Sequence, residues 1–468
     1  MMEKKEPVLT YADIVHSTAG ESFSGTRSEG VGSVVADSRE CSPGSLFVAL
    51  PGERTDGHFF IEEALTNGSS LVLLNRRFAE KNKEKISSLA KKTGAGFVVV
   101  PDTLRALQEL ARFHMRRLES VVRVGVTGSS GKTTTKEIVG AILLKAASGF
   151  MNRGNLNSEI GLPLSTFSVT RADHYAIFEM GMNHQGEMDV LVDIVRPDVA
   201  AITNIGTAHI GLLGSQEAIA TEKKKIFACF DGDQTGFIYE DEPFYGFLSR
   251  GVRGVVRPYG PRSTPGYRGG TNLGLDGYLL KVGDREARLP LIGIHNLHNA
   301  LCAVSIADHF GVPLDLVVEG LESVRAISGR GEIVRGPVTI VQDSYNANPE
   351  AFERAIDFFD EVAWKGRKII VAGSMKELGA ESLSAHARVG RMLAASSADA
   401  VFLFGEEMSA AREAFAARSK PLFFFSDFDE LKNEVLSFVH EGDLLMLKAS
   451  RGMELERLVP DLRKAVQA

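Results

Sequence analysis

The sequence predicts an α/β protein of three domains built on mostly parallel sheets. Three observations predict it. Short apolar runs alternate with helix-period stretches along most of the chain, the pattern of parallel strands joined by crossover helices. At 468 residues the chain exceeds one ordinary domain. A glycine-rich turn at 127–134 lies between a predicted strand and a predicted helix, the setting of a phosphate loop.

The composition bounds the class. Hydrophobic residues make up 44% and charged residues 24%, a globular balance with ample core material. The formal net charge is −7, which argues against nucleic acid or an anionic membrane as the main partner. A phosphate ligand remains compatible with that charge, because local backbone amides hold phosphate. Cys41, Cys229 and Cys302 lie far apart, giving neither a metal spacing nor a disulfide framework. Met1 to Glu6 is charged and has no signal-like apolar run. No apolar stretch reaches the roughly 20 residues that span a bilayer. A cytoplasmic location is expected.

The first block, 1–120, has strand-like runs at 46–50, 71–74 and 97–100 between Gly, Pro and Asp turns. A helical pattern follows at 103–118, with Leu104, Leu107, Leu110, Ala111, Met115 and Leu118 at helix spacing. The second block, 121–328, opens with a buried strand at 121–127 and a helix at 132–145. Further strands are expected at 175–179 and 199–204, and a helix at 296–309. The stretch 257–277, rich in Gly, Pro, Arg and Tyr, reads as irregular loop. The third block, 329–468, shows strands at 338–341, 368–372, 400–404, 422–425 and 444–448. Helices at 351–362 and 383–395 lie between them, a doubly wound, Rossmann-like order.

The string Thr127-Gly128-Ser129-Ser130-Gly131-Lys132-Thr133-Thr134 carries the chemistry most directly. Its glycines let backbone N–H groups converge on phosphate oxygens. Lys132 would reach the β- and γ-phosphates, and Thr133 would offer its hydroxyl to Mg²⁺. Val126 stands where the general spacing has a glycine, with Gly125 and Gly128 close by. Glu179 closes the predicted strand 175–179, at the end that faces ligand in parallel sheets. His209 follows another strand, and Lys223 opens a run of three lysines. Taken singly, that run is most simply a solvated helix face.

Together these residues resemble the Mur ligase family, ATP-dependent amide-bond formers of peptidoglycan precursor assembly. Asp37-Ser38-Arg39, Pro43–Leu50 and Asp56-Gly57-His58 resemble its uridine-nucleotide-sugar module. Asn155–Pro163, Glu179–His184, Ala208-His209 and Gly293–Ala300 resemble its central domain. Gly329-Arg330, Asp343–Pro349, Met375–Gly379 and Lys448–Arg451 resemble its C-terminal domain. The Tyr-Asn-Ala-Asn-Pro and Met-x-Glu-Leu-Gly strings point to the member that adds a D-alanyl-D-alanine dipeptide.

The resemblance implies a fold of three parts: a UDP-sugar-binding domain at 1–120, an ATP-binding P-loop domain at 121–328, and a Rossmann-like domain at 329–468. It implies that Lys132 and Thr133 hold phosphate and a first Mg²⁺. Glu179, His209 and Lys223 are implied as ligands of a second Mg²⁺, Lys223 after carbamylation. Asn296 and Asn299 are implied on the adenine side, with Arg330 and Asp343 reaching ATP from the third block. Ser38, Arg39, Asn157, Asn346 and Asn348 are implied substrate contacts. The implied reaction joins D-alanyl-D-alanine to UDP-N-acetylmuramoyl-tripeptide through an acyl phosphate, in a chain expected to be monomeric. The alternatives are a sibling ligase of amino-acid-adding or folylpolyglutamate type, a nucleotide-dependent switch protein, and a ligase-shaped binding protein without activity. Gln342, Ser374, Ala449 and Lys225 depart from the family pattern. Ala449 matters only if its backbone needs a positive φ.

Overall fold

The computed structural model describes residues 7–24, 30–52, 55–208, 210–417 and 419–464. The chain forms two compact units. The first comprises Met1–Gly125, Ala147–Ala200 and Lys225–Gln234. The second comprises Val126–Ala146, Ala201–Lys224 and Thr235–Ala468.

The first unit contains a five-stranded sheet in the order Glu21–Ser24, Gly96–Val100, Leu71–Asn75, Ser45–Val48, Ser33–Val35. The first pair is antiparallel and the others are parallel. The runs at 71–75 and 96–100 are almost wholly buried, as strands covered on both faces must be. Phe47, Val72, Leu74, Phe97 and Val99 share one core with Ile61, Ala64 and Ile86 of the flanking helices. The predicted helix at 103–118 is Thr103–Arg116, started by Asp102, whose side chain accepts from the amides of Leu104 and Arg105.

The phosphate-loop strand, Val122–Thr127, belongs to a six-stranded sheet in the order Val255–Tyr259, Thr235–Tyr239, Val199–Ile202, Val122–Thr127, Tyr175–Glu179, Gly149–Met151. Both of its outer pairs are parallel.

The second unit also holds a six-stranded sheet in the order Glu332–Val334, Thr339–Asp343, Leu444–Lys448, Lys368–Gly373, Ala400–Phe404, Leu422–Phe425. Only its first pair is antiparallel. Strand side chains alternate between two cores. Ile370, Ala372, Val401, Leu403 and Met446 pack with Phe352, Ile356 and Phe359 of helix Pro349–Glu361 and with Val389 and Leu393 of helix Ser382–Ala395. Ile369, Val371, Phe402, Leu445 and Leu447 pack with Leu431 and Val435 of helix Phe428–Phe438. Helices on both faces explain why these strands read as unbroken apolar runs.

One expectation fails. The stretch 257–277 is not irregular: Val255–Tyr259 is an edge strand, and Tyr267–Asn272 starts an antiparallel meander with Tyr278–Val282 and Arg285–Leu289. Its residues are mostly solvent-facing, so no apolar alternation marks it, and its glycines disguise a bulged strand between Tyr267 and Gly269. Among the described residues, no helix is long and apolar enough to cross a membrane.

Candidate active site

The phosphate loop is fixed by residues of the second unit. Strand Val199–Ile202 runs on into Thr203 and Asn204, and these two clamp the loop. The Thr203 amide donates to Thr127 O at 2.9 Å, and its hydroxyl donates to Ser130 O at 2.5 Å. Asn204 Oδ1 accepts from the Ser130 amide at 3.1 Å, its Nδ2 donates to Ser130 O at 3.0 Å, and its carbonyl accepts from the Ser129 amide. Ser129 Oγ accepts from the Gly206 amide at 2.8 Å. The loop is therefore preorganised by side chains that sequence reading left without a role.

Both loop glycines are required by geometry. Gly128 has φ +151°, and a Cβ there would lie 1.8 Å from Thr203 Oγ1. Gly131 has φ +80°, and a Cβ there would lie 2.6 Å from Asn299 Oδ1. Thus Asn299, on helix Ile294–His309, is brought against the loop. Its Nδ2 donates to Asn296 Oδ1 at 3.0 Å, and Asn296 Nδ2 donates to Ile292 O. Both asparagines are buried. Helix Lys132–Ala146 begins directly after Gly131, with Thr133 buried and Thr134 half-buried in its first turn. Lys132 Nζ folds back to donate to Gly128 O at 2.9 Å, placing its charge at the mouth of the amide cradle.

In the third block, Asp343 ends its strand and forms an ion pair with the buried Lys448 at 2.8 Å. Lys448 also donates to the carbonyl of the exposed Asn346 at 2.8 Å. The Arg330 guanidinium stacks 4.0 Å over the Tyr345 ring. Asn348 is buried and caps helix Pro349–Glu361, its Oδ1 accepting from the Ala351 amide at 2.7 Å. A capping duty thus accompanies its implied substrate contact. His386 Nε2 accepts from the Met375 amide at 3.0 Å, and its Nδ1 lies 2.7 Å from Ser382 O. That pair of bonds needs the neutral imidazole, and burial keeps its pKa below the usual value. The departures are accommodated. Gln342 and Ser374 are buried, and Ala449 is buried without a left-handed backbone, so no glycine is needed there.

Lys223 is fully buried, where the lysine run taken singly reads as a solvated face. Lys224 donates to Phe247 O and Arg250 O, both at 2.7 Å, and burial lowers its pKa. Neither is a side chain simply extended into water. His209 lies outside the described residues.

In the first unit, Glu179 is buried at the end of its strand. Asn157 Nδ2 donates to Glu179 Oε1 at 2.6 Å, whereas Oε2 is buried with no hydrogen-bond partner among the described residues. Lys225 forms an ion pair with Asp189 at 2.7 Å. Ser38 Oγ donates to Glu63 Oε2 at 2.7 Å, while the exposed Arg39 pairs with Asp37 at 2.5 Å, holding that carboxyl down at about pKa 2.

Three family matches cover this chain. Residues 31–115 match the Mur ligase family catalytic domain, 126–307 the Mur ligase middle domain, and 329–451 the Mur ligase glutamate ligase domain. A UDP-N-acetylmuramoyl-tripeptide–D-alanyl-D-alanine ligase from Treponema pallidum is 38% identical over 98% of this chain and 99% of its own length. The Bacillus subtilis ligase of the same name is 32% identical over 98% of each. Among solved structures, a MurF from Acinetobacter baumannii has a TM-score of 0.87 at 30% identity, covering 98% of this chain and 99% of its own. The MurF ligase from Thermotoga maritima in complex with ADP has a TM-score of 0.79 at 29% identity, covering 92% and 97%.

Proposed function

The chain belongs to the Mur ligase family, and from that premise we propose that it joins D-alanyl-D-alanine to UDP-N-acetylmuramoyl-tripeptide with cleavage of ATP to ADP and phosphate. The observation that carries this reading is the match to ligases of that reaction along nearly the whole chain. The clamped phosphate loop supports its ATP half. The domain assignment we propose is 1–120 for the UDP-sugar substrate, 121–328 for ATP and 329–468 for the Rossmann-like part, in a monomeric cytoplasmic protein.

The chemistry follows from the poor electrophilicity of a carboxylate. A tripeptide carboxylate oxygen attacks the γ-phosphorus, and the bond from that phosphorus to the ADP oxygen breaks. The acyl phosphate then meets the dipeptide amine. Nitrogen adds to the acyl carbon, the amine gives up a proton, and the tetrahedral adduct expels phosphate to leave the amide. Loop amides and Lys132 would hold the β- and γ-phosphates, and Arg330 and Asp343 would contact the nucleotide from the third block. Asn296 and Asn299 would lie on the adenine side.

Glu179 suits a divalent cation, since one of its buried oxygens is tied by Asn157 and the other has no hydrogen-bond partner among the described residues. We assign Thr133 to one Mg²⁺, and Glu179, His209 and a carbamylated Lys223 to a second. Bound Mg²⁺ would neutralise charge as two anions approach. Ser38, Arg39, Asn157, Asn346 and Asn348 remain the proposed substrate contacts.

The test is phosphate release from ATP with UDP-N-acetylmuramoyl-tripeptide, with and without D-alanyl-D-alanine, and product mass. Tripeptides ending in lysine and in diaminopimelate are run in parallel. Release that needs both substrates and yields the pentapeptide is the expected result. Release independent of both, or none with either tripeptide, would favour a sibling ligase or a nucleotide-dependent switch.

A further inference from the structure

A second cation approaches the phosphate loop, from far along the chain. Helix Pro349–Glu361 carries Glu350 and Arg354 four residues apart, on one face of its first turns. Glu350 Oε2 accepts from Thr207 Oγ1 at 2.6 Å. Arg354 Nη2 donates to Ser130 Oγ at 3.2 Å. Ser130 does not need this bond for its conformation, because Thr203 and Asn204 already hold its backbone.

The arginine is poorly compensated. Its acidic neighbours are Glu350, Asp343 and Glu353. Asp343 is paired with Lys448 at 2.8 Å and Glu353 with Arg388 at 2.7 Å, while Glu350 turns one oxygen to the Thr207 hydroxyl and the other towards Arg388 at 3.9 Å, so none of the three gives Arg354 a hydrogen-bonded ion pair. Among the described residues, the guanidinium's hydrogen-bond partner is one neutral hydroxyl. A guanidinium offers five donors and matches phosphate in a two-pronged fork. A half-buried charge left this incomplete is costly unless an anion completes it.

We propose that Arg354 is a nucleotide-binding residue that contacts the terminal phosphate of the triphosphate seated in the loop, and so distinguishes triphosphate from diphosphate. This deepens the ATP-dependent reading and rests on it. Ser130 Oγ holds the guanidinium at the loop, and the γ-phosphate supplies its anionic partner. After transfer that partner leaves with the acyl group, and the contact to ADP is lost.

The test is equilibrium binding of Mg²⁺·ADP and of the non-hydrolysable Mg²⁺·β,γ-imido-ATP to the full chain. Wild type, Arg354→Gln, Arg354→Lys and Glu350→Ala are compared. Arg354→Gln is expected to weaken the triphosphate analogue roughly 10- to 100-fold, the worth of a hydrogen bond to a charged group, and ADP by less than about two-fold. Arg354→Lys should fall between, since it keeps charge and loses the fork. Glu350→Ala should leave the triphosphate-to-diphosphate ratio unchanged. An Arg354→Gln ratio equal to wild type overturns the proposal, as do equal losses for both nucleotides in Arg354→Gln and Glu350→Ala, which a mere latch would produce. A wild-type chain that binds neither nucleotide overturns the ATP reading and this contact with it. Selective binding by wild type that survives in Arg354→Gln overturns the contact alone.

Discussion

Lys132 shows what one side chain contributes. It rests on Gly128 O at 2.9 Å, so its charge is placed before any phosphate arrives. Replacing it with Met keeps the stem and removes the charge. ATP-dependent ligation should fall roughly 10²- to 10³-fold, the effect of losing one positioned electrostatic partner. The melting temperature should stay within about 2 °C, roughly the shift that 1 kcal/mol brings in a unit of this size. A large drop in melting temperature would instead make Lys132 structural. Asn348 poses the opposite question, because its side chain caps a helix. Asn348→Ala should cost about 1 kcal/mol, while Asn348→Asp should keep the cap and the stability. If Asn348→Asp leaves the KM for D-alanyl-D-alanine unchanged, capping is its whole task.

At the scale of the element, the turn after strand Lys368–Gly373 depends on a neutral histidine. His386 accepts from the Met375 amide, which a protonated ring cannot do. Its folded pKa lies below the unfolded value near 6.5 because burial disfavours the charged ring. As pH falls through that unfolded value, the unfolded chain takes up the proton first. Stability is therefore full above about pH 6.5 and declines below it until the folded ring titrates. The melting temperature should drop between pH 7.5 and 5.5, and His386→Asn should flatten part of that slope. Only part is expected, because burial also lowers the pKa of His114, and that of His295 to about 4. An unchanged slope in the variant would dismiss His386 as its source. The helices and central strands of this region were legible in the sequence, since helix faces and buried strands leave periodic apolar patterns. The meander at 267–289 was not, because its first strand is solvent-facing and rich in glycine.

At the scale of the whole molecule, nucleotide binding should register as stability. The phosphate loop, Asn299, Arg330 and Asp343 all lie in the second compact unit. Mg²⁺·ADP at about 100 times its Kd should add about 2.7 kcal/mol to the unit that binds it. In calorimetry one transition should move upward with ADP concentration. A thermogram unchanged at millimolar Mg²⁺·ADP would contradict the assignment of the loop.

The sequence by itself determined the α/β class, the glycine-rich turn between strand and helix, and the family, because these are written in local order: periodicity, a glycine-spaced turn, short strings. It also pointed to Glu179 and Lys223, whose place in the order of motifs outweighed the ordinary reading of a lysine run. Only the tertiary structure decided that Lys223 is buried, and that Thr203 and Asn204 clamp Ser130. It alone gave Asn348 its cap and brought Arg354 to a loop more than two hundred residues earlier. The physical reason is shared. Burial and side-chain hydrogen bonds depend on which distant segments meet, and a guanidinium seeking an anion carries no mark of its partner in the residues beside it.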